Sequence, residues 1–334
     1  MTARPTVTLA FTTYNVERYI SGAFDAVLAQ DFQDFEVVVA DNQSSDSTWE
    51  ICEHYARKDA RFRVYRNPEN IGVFMNVRRV IELANGRYFR LTAHDDLMAP
   101  TLLSQCVDVL ESDPTAVLAY PSTIIIDDHG SEIDRWERDL DLRDPRPWHR
   151  ISEYVRSWAL CNELFGLMRM DAVRSCQPFG TYVSSDKKFL VELLAKGAFR
   201  LIDEPLFYRR IHSSNTFGSN RRSGSSSDAA AVYAWLDPDA MRRRRLPAKF
   251  GRPTGDHNRL TVETFRALLT DDQPAVDRLR NAATFLTVWQ ARRAHITLGR
   301  WRRRITNDPT NPPPWAIQAA PAPAATDEAT VVDR

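Results

Sequence analysis

The first half of the chain alternates apolar runs of four or five residues with longer segments whose apolar residues recur at helical spacing. Runs that short suit buried strands, and a parallel sheet joined by crossover helices explains the alternation best. Val7 to Phe11 is the first run, and Glu17 to Gln30 then places Tyr19, Ile20, Ala23, Phe24, Val27 and Leu28 on one helical face. Glu36 to Ala40 repeats the pattern and leads into a helix opening with Ser47 and Glu50 at capping-box spacing. Phe62 to Tyr65 and Tyr88 to Leu91 read as two more strands, and Asn85-Gly86 stops the helix between them. Pro100 suits the first turn of a helix closed by Asp113-Pro114, and Val117 to Tyr120 and Thr123 to Ile126 are two further strand candidates.

Beyond Asp127 the pattern loosens, and Ser131 to Arg150 reads as a charged surface excursion. A helix from Asp186 ends at Gly197, and Arg200 to Arg210 is extended. The organisation expected is a catalytic domain over 1–215, a Ser/Gly/Arg loop over 216–228, a basic helical extension over 229–306 and a disordered Pro/Ala-rich tail over 307–334.

Formal charge is zero, yet residues 241–304 hold 16 Lys and Arg against 5 Asp and Glu, which points to an anionic partner for that part. Cys52, Cys106, Cys161 and Cys176 lie far apart and read as buried, reduced thiols rather than a zinc or redox motif. No stretch reaches the roughly 20 apolar residues of a membrane span, so a cytoplasmic protein is expected.

In an open α/β sheet, ligands sit beyond the carboxyl ends of the strands. The polar residues there are Thr13-Tyr14-Asn15, Asp41 with Asn42, Ser44 and Asp46, then Asn67 and Asn70, then His94-Asp95-Asp96. Adjacent carboxylates in a partly dehydrated cleft need a cation, a proton or basic partners, although Asp95-Asp96 also suits an Asx turn before Pro100.

Thr-Tyr-Asn after the first strand, Asp-Asn-x-Ser-x-Asp-x-Thr over 41–48, Arg-Asn-x-x-Asn-x-Gly over 66–72 and His-Asp-Asp at 94–96 together resemble the family-2 glycosyltransferases of GT-A fold. The resemblance covers roughly residues 5 to 215. It implies a Rossmann-like, mostly parallel sheet flanked by helices, an inverting transfer from a nucleotide-sugar donor to a carbohydrate or lipid-linked acceptor, and Mg2+ or Mn2+ as cofactor. Donor binding would fall to Thr13, Tyr14, Asn15, Glu17, Asp41, Asn42, Ser44, Asn70 and Gly72. The family's metal motif carries an acidic residue where this chain has Ala93, so the resemblance puts the metal on Asp96 and His212 and turns Asp95 to the donor's ribose or sugar. Arg209 and Arg210 would hold the leaving phosphates. Asp186 stands where the family has its general base; a helix N-cap is the competing role.

Two readings of the C-terminal region stay open. Phe285, Leu286, Trp289, Ile296, Leu298 and Trp301 interleave with arginines between Arg278 and Arg304. Such a helix would either lie on an anionic membrane at its inner face or pack its apolar side on the catalytic domain. Nucleic acid is disfavoured because no binding motif accompanies the charge. A dehydrogenase is disfavoured because Phe11 to Asn15 has no glycine, and a nucleotidyltransferase because a glycine-rich basic loop is missing there. A non-catalytic sugar-nucleotide-binding module stays open.

Overall fold

A computed structural model describes residues 4–136, 140–158, 161–182, 184–212 and 254–306. The expected loop at 216–228, Arg242 to Arg245 and the tail at 307–334 lie outside the described residues, as do the side chains of Ile296, Leu298 and Trp301.

The strands are β1 (Val7–Thr13), β2 (Phe35–Asp41), β3 (Phe62–Arg66), β4 (Tyr88–Thr92), β5 (Leu97–Met98), β6 (Ala116–Ile126), β7 (Glu132–Trp136), β8 (Leu167–Arg169) and β9 (Ala198–Arg210). They form one sheet in the order β3-β2-β1-β4-β8-β6-β9-β5, with β7 beside β6. The helices are α1 (Ile20–Leu28), α2 (Thr48–Lys58), α3 (Val73–Leu83), α4 (Leu102–Ser112), α5 (Pro147–Ser157), α6 (Met170–Ser175), α7 (Ser185–Lys196), α8 (Thr254–Thr270) and α9 (Ala275–Thr306), with a 3-10 turn at Asn162–Phe165.

Alternate residues of the central strands feed opposite faces, which is why the runs are continuously apolar. Leu9, Phe11, Val37 and Val39 join Phe24, Cys52 and Leu103 of α1, α2 and α4 in one core. Ala10, Val38 and Ala40 join Val77, Ile151, Leu190 and Phe285 of α3, α5, α7 and α9 in the other. All four cysteines are buried and free.

Several local expectations are corrected. The two strand candidates after α4 are one strand, β6, whose register against β9 slips around Pro121 and Ser122, where proline has no N–H to give. The excursion contains β7, which is almost wholly exposed, and Pro147 opens α5. Ser47 makes no capping bond to α2; Asp46 Oδ1 accepts the Thr48 N–H at 3.0 Å instead, and the Ser47 N–H goes to Glu17. Gly86 is required by close packing, since a Cβ there would lie 2.4 Å from the Thr8 nitrogen.

Over its first half, α9 packs apolar residues into the core that α5 and α7 share with the sheet. Phe285 and Trp289 are buried, the Trp289 ring meets Trp158 at 5.0 Å, and its Nε1 donates to Thr261 Oγ1 at 2.7 Å. Phe285 and Trp289 are therefore taken up by the core.

Candidate active site

Strand direction gathers the site. β1, β2, β3 and β4 are mutually parallel, β8 runs against β4, and β6 runs against β8 and along β9. The carboxyl ends of β1, β2, β3, β4, β6 and β9 therefore share one rim. Asp41, Asp95-Asp96, Asp127-Asp128 and Arg209-Arg210-Ile211-His212 all fall on it. Two further segments reach it from the opposite sense. β8 is antiparallel, so the turn before it, Asn162–Phe165, sits over the end of β4. Helix α7 returns the chain to the start of β9, so its first residues, including Asp186, are at the rim end.

On one side of the rim the loops after β1 and β2 are sewn together. Asp41 is fully buried; its carboxylate accepts Thr13 Oγ1 at 3.1 Å and both the N–H (3.0 Å) and Oγ of Ser44, with Arg66 Nε 3.5 Å away. Asn15, at φ 52°, gives its N–H to Ser44 Oγ and takes the Ser45 N–H on Oδ1. Asn42 Oδ1 accepts from Asn67 and from the Ile71 N–H, while Asn70 Oδ1 accepts from Asn42 and from the Gly72 N–H. Gly72 has φ 80°, a conformation that favours glycine. Tyr14 is 41% exposed beside these loops. Sequence thus brings Thr13, Asn15, Glu17, Asp41, Asn42, Ser44, Asn70 and Gly72 together, with Asp41 turned inward as the organiser of the loop.

On the other side, Asp95 Oδ2 and His212 Nε2 are 3.1 Å apart. Asp96 Oδ1 accepts the Arg210 N–H at 2.8 Å. The expectation had paired Asp96 with His212; the side chains in contact are Asp95 and His212, because successive residues leaving β4 point different ways. Burial, then the adjacent Asp95 charge, push the Asp96 carboxyl well up, against the pull of Arg209, the Arg210 N–H and Arg90. Burial also acts to raise Asp95, but His94 and the His212 hydrogen bond outweigh it and hold that carboxyl low.

Arg210 is a brace here. Its Nε donates to the Asp95 carbonyl, and its Nη1 to the carbonyls of Asp127 and Asp128 at 2.8 and 3.0 Å, which ties β4, β6 and β9 together. Arg209 Nη1 donates to Asn162 Oδ1 at 2.5 Å. Asp186 lies in the first turn of α7 but is not its cap; Ser184, at φ 70°, holds that position.

Four residues at the rim escaped the sequence reading. Tyr19 donates its hydroxyl to Asp128 and its ring lies tilted against that of His212 at 4.6 Å, so the β1–α1 loop touches both sides of the rim. Asp128 was findable, since it directly follows a strand. Asn162 and Glu163 gave no signal, because they precede an antiparallel strand.

The Asp95–His212 pair fits a divalent cation. Two donors in adjacent positions of an octahedral ion at about 2.1 Å would be about 3.0 Å apart, and the observed separation is 3.1 Å. Among the described residues no group of three His, Cys, Asp or Glu side chains is placed to hold an ion. A set of two such donors would leave positions for phosphate oxygens and water.

Comparison with known proteins follows the same lines. An uncharacterized protein of Mycobacterium tuberculosis is 36% identical over 138 residues, 39% of this chain and 40% of that protein. The chain thus spans well under half the length of that relative. Chondroitin synthase of Escherichia coli is 24% identical over 215 residues, 64% of this chain and 30% of the enzyme. The crystal structure of S. aureus TarS 1-349 in complex with UDP-GlcNAc superposes with a TM-score of 0.59 at 15% identity, over 85% of this chain and 72% of that one, which shows a shared GT-A fold. Among the described residues no helix is long and apolar enough to cross a membrane. The family model for glycosyl transferase family 2 matches residues 8–168, so that part of the chain is similar to that family.

Proposed function

We propose that this chain transfers a sugar from a nucleoside-diphosphate donor to an acceptor hydroxyl, with inversion. The supporting observation is the Asp95–His212 pair at one rim with the stitched Asp41 loops and the first turn of α7. The loops after β1, β2 and β3 form the nucleotide side. Asp95 and His212 would hold a Mg2+ or Mn2+ ion, which when bound offsets the charge of the departing diphosphate. The acceptor oxygen attacks the anomeric carbon as the bond to the diphosphate breaks, the electron pair leaves with the diphosphate, and Asp186 takes the hydroxyl proton.

TarS binds UDP-GlcNAc in the same fold, and a donor of that chemical class is assigned to this chain. The acceptor assigned is a hydroxyl of a cell-envelope glycan, free or lipid-linked, in keeping with chondroitin synthase among the relatives.

The test is a panel of UDP- and GDP-hexoses offered to the purified protein with Mn2+ or Mg2+, reading binding and donor turnover. Asp186→Asn should abolish turnover and keep donor binding. Unchanged turnover in that variant would overturn the base assignment. Binding without any turnover in the wild type would instead favour a non-catalytic module, the reading that Ala93 in the metal motif keeps in view.

A further inference from the structure

We infer that Glu163, with Asn162, recognises the hydroxyls of the transferred sugar and so helps to set which sugar the protein accepts. The inference rests on the glycosyl-transfer reading and adds a specificity residue to it.

Glu163 is 7% exposed, yet its Oε2 has no hydrogen-bond partner among the described residues. The next residue back, Asn162, is 3% exposed and its Nδ2 is likewise unpartnered. Buried polar atoms are nearly always satisfied, so two orphaned atoms on adjacent residues at a ligand-binding rim call for a ligand. Their turn is held firmly. Cys161 enters it at φ 56°, fully buried Arg90 donates to the Phe165 carbonyl, and a Cβ on Gly166 would meet the Ala119 carbonyl at 2.8 Å. A rigid turn keeps a pair of polar groups in place before the ligand arrives, which lowers the ordering cost of binding.

Position names the ligand. The turn lies over the end of β4, between Arg209, which binds Asn162, and Lys187, the neighbour of Asp186. In the proposed reaction the sugar ring must occupy the gap between the diphosphate, held at Asp95 and His212, and the base at Asp186. Chemistry agrees. An acidic side chain would repel a phosphate, and a single carboxyl beside an amide makes a poor cation cage. A carboxyl and an amide N–H together offer the donor and acceptor set that neighbouring sugar hydroxyls need. Burial also raises the Glu163 carboxyl to about 7, so near neutrality the protonated form, which can both donate and accept, is well populated.

The test compares two ligands of one protein. Titration calorimetry with Mn2+ would first find which UDP- or GDP-hexose the wild type binds best, then measure that compound and the matching UDP or GDP against wild type, Glu163→Ala and Glu163→Gln. Glu163→Ala should weaken the sugar nucleotide about 10-fold or more while the bare diphosphate stays within about 2-fold. Glu163→Gln, which keeps the shape and some hydrogen bonding, should fall between and shift the order of preference among hexoses. Should the alanine variant fail to fold, the glutamine variant decides alone, by the same ratio of sugar-nucleotide to diphosphate affinity. Equal losses for both ligands, or no loss in a folded variant, would overturn the assignment. Absence of any sugar-nucleotide binding by the wild type would remove the parent reading, and this one with it.

Discussion

The Tyr19 ring lies 4.6 Å from the His212 ring at 37° between planes, so the residue that opens α1 fixes the orientation of an imidazole contributed from beyond β9. Its hydroxyl is anchored on Asp128, and the Arg210 guanidinium lies 5.3 Å from the centre of its ring. Groups that orient a metal ligand typically change metal affinity 10- to 100-fold when removed. Tyr19→Ala should therefore weaken Mn2+-dependent donor binding by about 10-fold. Tyr19→Phe keeps the ring and should lose much less. Manganese titration of donor binding for the two variants checks the order.

The pairing of Asp95 rather than Asp96 with His212 predicts unequal effects. Asp95→Asn would remove one of the two proposed metal ligands and should lower metal-dependent turnover by about 100-fold. Asp96 is buried, its carboxyl is shifted upward, and its visible role is to accept the Arg210 N–H, which an amide oxygen also accepts. Asp96→Asn should cost no more than a few-fold, on the order of one neutral hydrogen bond. Turnover against metal concentration for both variants separates the alternatives, and the reverse order would return the ion to Asp96.

What was legible in the sequence follows strand direction. The period of the apolar runs placed β1 to β4 and their crossover helices, and the rule that ligands gather beyond carboxyl ends pointed to Asp41 and Asp95, while His212 came from the family resemblance. That rule looks forward along a strand. It passes over Asn162 and Glu163, which stand before β8, because no local pattern marks a three-residue strand as antiparallel. Partner choice within the site was hidden for another reason. Whether Asp95 or Asp96 meets His212, and whether Arg210 faces a phosphate or three carbonyls, depends on side-chain directions over about 115 residues of separation.

Asp41 carries a stability prediction. Its carboxylate accepts three hydrogen bonds inside the fold. Asp41→Ala leaves those donors without partners and should destabilise the protein by about 2–4 kcal/mol. Asp41→Asn can still accept through one oxygen and should cost less. Urea unfolding of both variants, read from midpoints at constant slope, measures the difference.

Trp289 tests the junction of α9 with the catalytic domain. It is 4% exposed, packs on Trp158 and bonds Thr261. Trp289→Ala should cost about 3–5 kcal/mol, as truncation of a buried tryptophan usually does. If α9 were held elsewhere, the unfolding midpoint would barely move.

Glu163 should reveal itself through pH, because its buried carboxyl is lifted from the ordinary 4.5 to about 7. Burial dominates that rise; Arg209 on β9 and Lys187 on α7 pull it down, and Tyr154, Cys161 and Asp186 lie within reach of the same field. Below pH 4.5 the folded and unfolded chains both keep the proton. Between 4.5 and 7 the unfolded chain releases it while the folded chain retains it, so stability falls as pH rises through that window. Above 7 the full penalty, on the order of 3 kcal/mol, is in place. Glu163→Gln carries no titrating group there. Its stability relative to wild type should be near zero at pH 4 and grow to about 3 kcal/mol in the variant's favour at pH 8. A residue kept for folding would lose stability on that change at every pH. One kept for a ligand gains it, and urea unfolding at the two pH values distinguishes them.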